Sequence, residues 1–248
     1  MPLAKQGRLG QARAMVPFSF HDQEMQLVGA APGRPSALFW PREQALLVAD
    51  LHLEKASFFA RTGQMLPPYD SRETLERLAT AVRLTGARRV FALGDNFHDS
   101  QGPDRLDPHA AGMLAALTRA LDWVWITGNH DPHLGTHLGT EAGGERMEEL
   151  ETGGIALRHM ARPGTMRPEV SGHFHPRLVV AARGRRIARP CAVRSETRLI
   201  LPAFGALTGG MDARDPAILS ALQPAEAIDA LVPARERLVR YPLWRNAA

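Results

Sequence analysis

The stretch RVFALGDNFHD, residues Arg89 to Asp99, decides the fold of this chain. It begins with a short apolar run, RVFAL, which has the length and composition of a strand buried on both faces. Gly94 and Asp95 follow directly. Ligands in α/β folds gather beyond the carboxyl ends of strands. The sequence therefore predicts that Asp95 lies at the edge of a sheet where a site can form.

Two further stretches have the same construction. ALLVADLH (residues 45–52) precedes the first stretch, and WVWITGNHD (residues 123–131) follows it. The intervening segments are typical of helices: Asp70 is placed to cap one that ends at Gly86, and a second apolar face runs through residues 110–121. The alternation of strands and helices predicts right-handed crossovers and a largely parallel first sheet.

The pattern changes after Gly154, where the apolar runs become short and closely spaced. They predict a second sheet rich in antiparallel pairing, with RGRR (residues 183–186) as a hairpin turn. The runs are GIALRH, PEVSGH, RLVVAA, RIARP, CAVRS and RLILPAF. We expect a flexible segment over residues 1–15, one domain over residues 16–248, and a loop or flap over residues 132–153.

The composition is that of a globular protein. Hydrophobic residues make up 44% and charged residues 23% of the 248 residues, which argues against a disordered or fibrous chain. The single cysteine, Cys191, excludes an internal disulfide framework and a thiolate metal cluster. No apolar run is long enough for a membrane span, and the first residues lack the apolar core of a secretory signal, so we expect a cytoplasmic protein without membrane contact.

The hexapeptide SGHFHP, Ser171 to Pro176, contains two histidines separated by one residue. On a strand, residues two apart project from the same face, so His173 and His175 are expected to point in the same direction. Such a pair suits a metal site. RHM (residues 158–160) supplies another histidine, His159, shortly before it.

Taken in order, DLH, GDNFHD, GNHD, RHM and SGHFHP resemble the motif series of the calcineurin-like metallophosphoesterases. The resemblance implies an α/β fold, a sandwich of two mixed β-sheets flanked by helices in four layers (αββα). It also implies two metal sites that share Asp95. The first would be formed by Asp50, His52, Asp95 and His175, and the second by Asp95, Asn129, His159 and His173. His130 would lie over the metals, where it stabilises phosphoryl charge or protonates the leaving oxygen.

The mixture of carboxylate, amide and imidazole ligands suits Mn²⁺, Fe²⁺ or Zn²⁺ better than Mg²⁺, and we expect Mn²⁺. Two such ions about 3.5 to 4 Å apart can share a water and lower its pKa towards neutrality. The expected reaction is hydrolysis of a phosphodiester through in-line attack by a metal-bridging hydroxide.

Each of these residues also has a purely structural interpretation. Asp50 could cap a turn, Asn129 could be a turn residue, and His159 could be a hydrogen-bonded core histidine. Other polar residues near the motifs are interpreted as support: Asp99 and Asp131 as residues that orient their neighbours, and His98, His133 and His137 as loop histidines, His98 supporting the GDNFHD turn.

Two longer stretches narrow the resemblance. Residues 48–78 and 199–212 (LILPAFGALTGGMD) are similar to the bacterial DNA-ligase-associated metallophosphoesterases, the PdeM family. This implies a Mn²⁺-dependent DNA endonuclease or phosphodiesterase linked to DNA repair, with DNA as substrate and a DNA ligase, a helicase and an exonuclease-like protein as partners. Glu54 departs from the wider pattern, in which many members have glycine at this position. A carboxylate so close to the metals is expected to repel anionic substrates unless Lys55 or an arginine neutralises it.

The distribution of basic residues is compatible with a nucleic-acid substrate. The formal net charge is +4, and arginines flank the SGHFHP motif. We predict that phosphates on either side of the scissile one are bound by Arg158, Arg183, Arg185 and Arg186. The alternative is a solvated hairpin whose charges face water.

Two other functions use the same residues or the same fold. One is a phosphodiesterase or pyrophosphatase acting on a small nucleotide or nucleotide-lipid. The other is a scaffold that binds DNA or repair partners without catalysis; such a protein has no need of His130 or of the seven predicted ligands.

Overall fold

The computed structural model describes residues 15–31, 34–130, 142–182, 184–234 and 237–246. Seven strands form the first sheet in the order of the sequence: β1 (Met15–Phe20), β2 (Gln23–Ala31), β3 (Arg34–Trp40), β4 (Ala45–Val48), β5 (Arg89–Leu93), β6 (Asp122–Ile126) and β7 (Glu145–Met147). Strands β1 to β4 are antiparallel, and β4 to β7 are parallel. The three apolar runs chosen from the sequence are β4, β5 and β6, which lie side by side.

Four α-helices and one short 3-10 helix (Pro103–Arg105) lie in the described part of the chain. The α-helices are α1 (Lys55–Ala60), α2 (Asp70–Thr85), α3 (Pro108–Ala120) and α4 (Pro216–Ala221). Gly86 ends α2 with a φ of 68°, as predicted. The predicted cap of α2 is wrong: Tyr69 occupies that position, and Asp70 instead accepts a hydrogen bond from the backbone N–H of Ala56 in α1 (3.2 Å).

The second sheet also has seven strands. They are β8 (Glu149–Thr152), β9 (Ile155–Arg158), β10 (Glu169–Ser171), β13 (Ala192–Arg194), β14 (Arg198–Ile200), β16 (Ala227–Ala234) and β17 (Arg237–Arg245), in the order β17-β16-β13-β14-β10-β9-β8. Strands β9, β10 and β14 pair in parallel, and the remaining pairs are antiparallel. A third sheet has the order β12-β11-β15, formed by β11 (Pro176–Ala182), β12 (Arg185–Pro190) and β15 (Met211–Asp212).

The buried side chains form three layers of core. Between the two large sheets lie residues such as Phe20, Trp40, Phe91 and Leu157. On the outer face of the first sheet, α2 and α3 contribute Leu75, Leu78 and Leu114. On the outer face of the second sheet, α4 and the third sheet contribute Ile218 and Leu178. The predicted α/β sandwich of two mixed sheets flanked by helices is confirmed, with the fourth layer shared between α4 and the third sheet.

Some predictions fall on parts of the chain outside the described residues. These parts include most of the segment over residues 1–15, although Met15 begins β1, and residues 132–141 of the predicted flap. The rest of the predicted flap, residues 142–153, contains β7 and β8 and is not a loop throughout. That residues 16–248 form a single domain stays a prediction. Within the described ranges, no helix combines the length and the apolar character needed to cross a membrane.

Candidate metal centre

Backbone hydrogen bonds hold the segments after β4 and β5 together. The N–H of Asp50 donates to the carbonyl of Gly94 (3.2 Å), and the N–H of His52 donates to the carbonyl of Asp95 (2.9 Å). Both segments leave the carboxyl ends of neighbouring parallel strands, so they extend the pairing beyond the sheet. Two carboxylates and an imidazole are thereby brought to one edge.

The second sheet delivers its histidines to the same place. His159 directly follows β9, and Gly172 directly follows β10, which pairs with β9 in parallel. The N–H of Gly172 donates to the carbonyl of His159 (2.8 Å), and the N–H of His173 donates to both carboxylate oxygens of Asp50 (3.1 and 3.0 Å). The bonds from His173 to Asp50 join the two sheets at the site.

The backbone at the site is unusual. Of the nine described non-glycine residues with positive φ, six are at or beside this edge: Asp50, His52, Glu54, Asp95, His173 and His175. Left-handed conformations are uncommon for such residues and concentrate at functional sites. The prediction that His173 and His175 share the face of a strand is therefore wrong. With φ values of 73° and 48°, they lie in a turn between β10 and β11.

Asp50, His52 and His175 form a first cluster of potential ligands. Nε2 of His175 is 3.4 Å from Oδ1 of Asp50 and 3.4 Å from Nε2 of His52. Asp50 is fully buried and His52 is 5% exposed, whereas His175 lies nearer the surface. The three donor atoms therefore converge on one point from different segments of the chain.

Asp95, His159 and His173 form a second cluster, and Asn129 lies against it. Nε2 of His159 is 2.8 Å from Oδ1 of Asn129, 3.0 Å from Nδ1 of His173 and 3.5 Å from Oδ1 of Asp95. Ligand atoms of three residues, Asn129, His173 and Asp95, thus lie around Nε2 of His159.

The carboxylate of Asp95 lies between the two clusters. Its Oδ1 faces His159 of the second cluster, and its Oδ2 is 3.7 Å from Nε2 of His52 in the first. The seven residues predicted as ligands are brought together in the two groups that the motif series implies. That each of them binds a metal ion stays a prediction.

The donor atoms of the second cluster fit a cation. Nδ1 of His159 donates to the carbonyl of Leu93 (3.0 Å), so Nε2 presents a lone pair towards Oδ1 of Asn129. Two acceptors at that distance repel each other unless a positive charge lies between them. Ligand atoms around a metal with bonds of about 2.1 Å are themselves about 3.0 to 3.4 Å apart. The distances in the two clusters, 2.8 to 3.5 Å, are close to that range.

Burial keeps two of these imidazoles neutral. It lowers the pKa of His52 to about 2, with a further contribution from the neighbouring His175. Burial also lowers the pKa of His173, to which His159 contributes. A histidine must be neutral to bind a metal ion, so the site holds these imidazoles in the form that binds.

His130, the predicted catalytic residue, lies at the mouth of the site with 41% of its side chain exposed. Its backbone N–H donates to Oδ1 of Asp95 (2.9 Å), and its Nδ1 donates to the carbonyl of His98 (3.0 Å). Nε2 is consequently the ring atom directed at the clusters, 3.9 Å from Oδ2 of Asp95.

His98 is a site residue that the sequence analysis missed. Its N–H does support the turn, by donating to the carbonyl of Leu53 (2.9 Å). However, its Nδ1 is 3.4 Å from Nδ1 of His52, and its ring stacks on His130 with centroids 5.2 Å apart. Its position three residues after Asp95 was the available signal. His133, His137 and Asp131 lie outside the described residues.

Two acidic residues near the motifs do not have the roles expected of them. Asp99 orients no imidazole; it pairs with Arg105, whose Nη1 lies 3.1 Å from Oδ2. Glu54 is buried against α2, where it accepts a hydrogen bond from Oγ of Ser71 (2.7 Å), and burial raises its pKa. Its contact with Ser71 draws the carboxylate towards α2.

The four arginines predicted to bind substrate are placed very differently. Arg158 is buried and pairs with Glu149 (2.7 Å) and Glu169 (3.5 Å), so its guanidinium serves the fold and the prediction for it is wrong. Arg185 and Arg186 are exposed on β12. Arg186 pairs with Ala181, six residues beyond His175 and so about 20 Å along the strand from the clusters. Arg183 lies outside the described residues.

Gly128 permits the close approach of the segment after β6 to Asp95. A Cβ at this position would lie 2.2 Å from the backbone nitrogen of Asp95 and 2.3 Å from its Oδ1. We expect Gly128→Ala to displace the carboxylate, to lower metal affinity measured by calorimetry, and to cost about 1 to 3 kcal/mol of stability.

The control for this substitution is Gly112→Ala in α3. A Cβ at Gly112 has nothing within 4 Å, and alanine favours a helix over glycine by about 1 kcal/mol. Gly112→Ala should therefore raise the unfolding temperature without changing metal affinity. Equal metal affinities for the two variants would contradict the steric argument.

One of the comparisons with known proteins supports the fold. The structure is similar to the crystal structure of the Pseudomonas putida nuclease MPE, with a TM-score of 0.67 and 27% sequence identity over 92% of this chain and 100% of that chain. Single- and double-mutant structures of Vps29 from Entamoeba histolytica match 80% of this chain and 98% of theirs at 15% and 14% identity, each with a TM-score of 0.30. No protein-family model matches the chain, and neither does any curated protein.

The class of enzyme to which this protein belongs follows from its fold, its two clusters and its similarity to the nuclease. A sandwich of two mixed sheets carries two groups of aspartate and histidine at one edge, with a shared carboxylate between them. The protein is a metal-dependent phosphoesterase with a metallophosphoesterase fold, and its His/Asp groups can bind two metal ions.

Proposed function

We propose that this protein is a Mn²⁺-dependent phosphodiesterase that cleaves DNA within the strand and acts in DNA repair in the cytoplasm. The observation that carries the proposal is the position of Asp95, with one oxygen directed at each cluster. Two metal ions that share a ligand form the arrangement used in in-line displacement at phosphorus. Likeness to a nuclease over nearly the whole chain supports a nucleic-acid substrate.

We assign the ligands by cluster. Asp50, His52 and His175 would hold one ion, Asn129, His159 and His173 the other, and Asp95 both. When bound, two divalent ions neutralise charge on the phosphoryl oxygens and lower the pKa of water, which supplies the nucleophile. The mixture of oxygen and nitrogen donors favours Mn²⁺, with Fe²⁺ or Zn²⁺ as alternatives.

The protein's own residues act on the substrate around these ions. His130 lies at the open side of the clusters, and its Nδ1 is fixed by the carbonyl of His98. Nε2 is therefore positioned to stabilise charge on the phosphoryl group or to give a proton to the leaving oxygen. Because this proton would go to an alkoxide, the contribution of His130 should be greatest for a DNA strand, whose leaving group is a poor one.

The test compares three substrates in the presence of Mn²⁺: circular single-stranded DNA, a small diester such as bis(p-nitrophenyl) phosphate, and a nucleotide diphosphate lipid. The proposal expects Mn²⁺-dependent nicking of the circle. Hydrolysis of the small substrates alone would remove DNA as the substrate, and DNA binding without any hydrolysis would favour the scaffold. The ligase, helicase and exonuclease-like protein remain proposed partners, to be tested by co-purification.

A further inference from the structure

Arg177 lies two residues after His175, at the beginning of β11. Its side chain is half-buried, and its stem packs against Gly210. A Cβ at Gly210 would lie 2.4 Å from Cδ of Arg177 and 2.6 Å from the carbonyl oxygen of His175. The stem of this arginine therefore runs beside the main chain that carries a proposed metal ligand. Two residues span at most about 7 Å.

Within the described part of the chain, no carboxylate lies close enough to Arg177 to form an ion pair with it. The arginines that precede the SGHFHP motif are different, because Arg158, Arg162 and Arg167 all pair with Glu149. Asp212 is the neighbour of Arg177 in the next strand, but it pairs with Arg214 (3.7 Å). Arg177 therefore adds a positive charge without an ion-pair partner among the described residues to the segment that directly follows His175.

The loop between β14 and β15, residues 201–210, ends in an exposed surface beside Arg177. Its ends are tied to the first cluster, because the N–H of Gly205 donates to the carbonyl of Asp50 (3.2 Å) and the N–H of Met211 donates to the carbonyl of His175 (3.2 Å). Gly209 and Gly210 between them are exposed. Without side chains, they allow another molecule to approach the backbone closely.

We propose that Arg177, lying over Gly210 beside His175, binds a phosphate of the polynucleotide next to the scissile one. The inference rests on the proposed function and identifies the residue that distinguishes a polynucleotide from an isolated diester. The guanidinium offers a planar fork of donors that matches phosphate oxygens. Arg177 takes the role that the sequence analysis gave to Arg158, whose guanidinium is used within the fold.

The test is Arg177→Met, which keeps an unbranched stem over Gly210 and removes the charge. Steady-state kinetics with Mn²⁺ are measured for a single-stranded oligonucleotide and for bis(p-nitrophenyl) phosphate, which has no flanking phosphate. We expect the ratio of the two kcat/KM values to fall at least about tenfold, mainly through KM for the oligonucleotide. The slope of log binding against log salt should decrease by about 1.

Two further variants make the comparison specific. Arg119→Met removes an exposed arginine from the last turn of α3 and should leave both substrates and the salt slope unchanged. Arg177→Lys keeps the charge without the fork and should recover part of the oligonucleotide KM. It also provides the comparison if Arg177→Met folds poorly.

The possible outcomes separate the two proposals. Equal losses for both substrates in Arg177→Met, or an unchanged salt slope, would overturn the role of Arg177 while oligonucleotide cleavage by the wild type upholds the proposed function. A wild-type protein that hydrolyses the small diester and leaves the oligonucleotide intact would overturn both.

Discussion

Asp95→Ala is expected to abolish phosphodiester hydrolysis because it removes the residue proposed to bind both metal ions. One carboxylate oxygen of Asp95 faces His159 and the other faces His52. Loss of a residue that hydrogen-bonds to a metal ligand costs about 10- to 100-fold in metal affinity or activity. Loss of a ligand shared by two metal ions should therefore reduce both by more than about 100-fold. Metal content after gel filtration, calorimetric titration with Mn²⁺, and the rate on bis(p-nitrophenyl) phosphate measure the effect.

The thermal unfolding of the same variant gives an independent measurement. A ligand that binds only the folded state raises the unfolding temperature, and the stabilisation grows with the logarithm of its concentration divided by its Kd. Mn²⁺ should therefore stabilise the wild-type protein and have little effect on Asp95→Ala. Asp95→Asn keeps the size of the side chain and suits the positive φ of 46°, so it separates loss of charge from a backbone effect.

The matched control is Asp99→Asn, four residues along the same segment. Asp99 is engaged by Arg105 and is 20% exposed, and it belongs to neither cluster. Its replacement should leave metal content unchanged. If Asp95→Ala retained one equivalent of Mn²⁺ at wild-type affinity, Asp95 would belong to a single site and the shared-ligand assignment would be wrong.

The elements that could be predicted from the sequence are those whose pattern is local. β5 coincides with RVFAL, and ALLVA and WVWIT contain most of β4 and β6, because a buried parallel strand requires a continuous apolar run. Gly86 ends α2 because glycine adopts positive φ at little cost. The motif series then located the site at the ends of these strands, where the structure gathers Asp50, Asp95 and their neighbouring histidines.

What the sequence could not provide depends on tertiary contacts. Asp70 has the spacing of a helix cap, yet the packing of α1 against α2 directs its carboxylate to Ala56. Arg158 has a charge suited to phosphate, but Glu149 and Glu169 approach it from other strands of the second sheet. No local pattern reveals which charges are already paired.

The turn that carries His173 and His175 has a similar explanation. Alternation of residues predicts a strand, whereas the structure gives both histidines left-handed backbone conformations. Hydrogen bonds from the N–H of His173 to Asp50 hold this turn against the first sheet. Gly172 lies close to Asp50 in the same turn. A Cβ at Gly172 would lie 2.7 Å from Oδ2 of Asp50, so only glycine permits the approach.

His130→Ala is expected to retain both metal ions and to lose rate. The contact of His130 with Asp95 that matters for the clusters is made by its backbone N–H, which alanine preserves. Its ring is 41% exposed and lies outside the two proposed ligand clusters, although its ring nitrogens group with those of His52 and His98 at the mouth of the site. A positioned acid or base contributes about 10²- to 10⁴-fold, so a rate loss in this range with unchanged Mn²⁺ content is the expected result.

The size of the loss should depend on the leaving group, which distinguishes proton donation from a general disturbance of the site. Departure of a nitrophenolate needs little protonation, whereas departure of a deoxyribose alkoxide needs a proton. We therefore expect His130→Ala to slow DNA cleavage more than hydrolysis of bis(p-nitrophenyl) phosphate. Equal losses on both substrates would assign His130 to stabilisation of phosphoryl charge, and loss of Mn²⁺ to the same extent as in Asp95→Ala would make it a ligand. Since Nδ1 of His130 is engaged by the carbonyl of His98, the proton in question is the one on Nε2, the ring atom that faces Asp95.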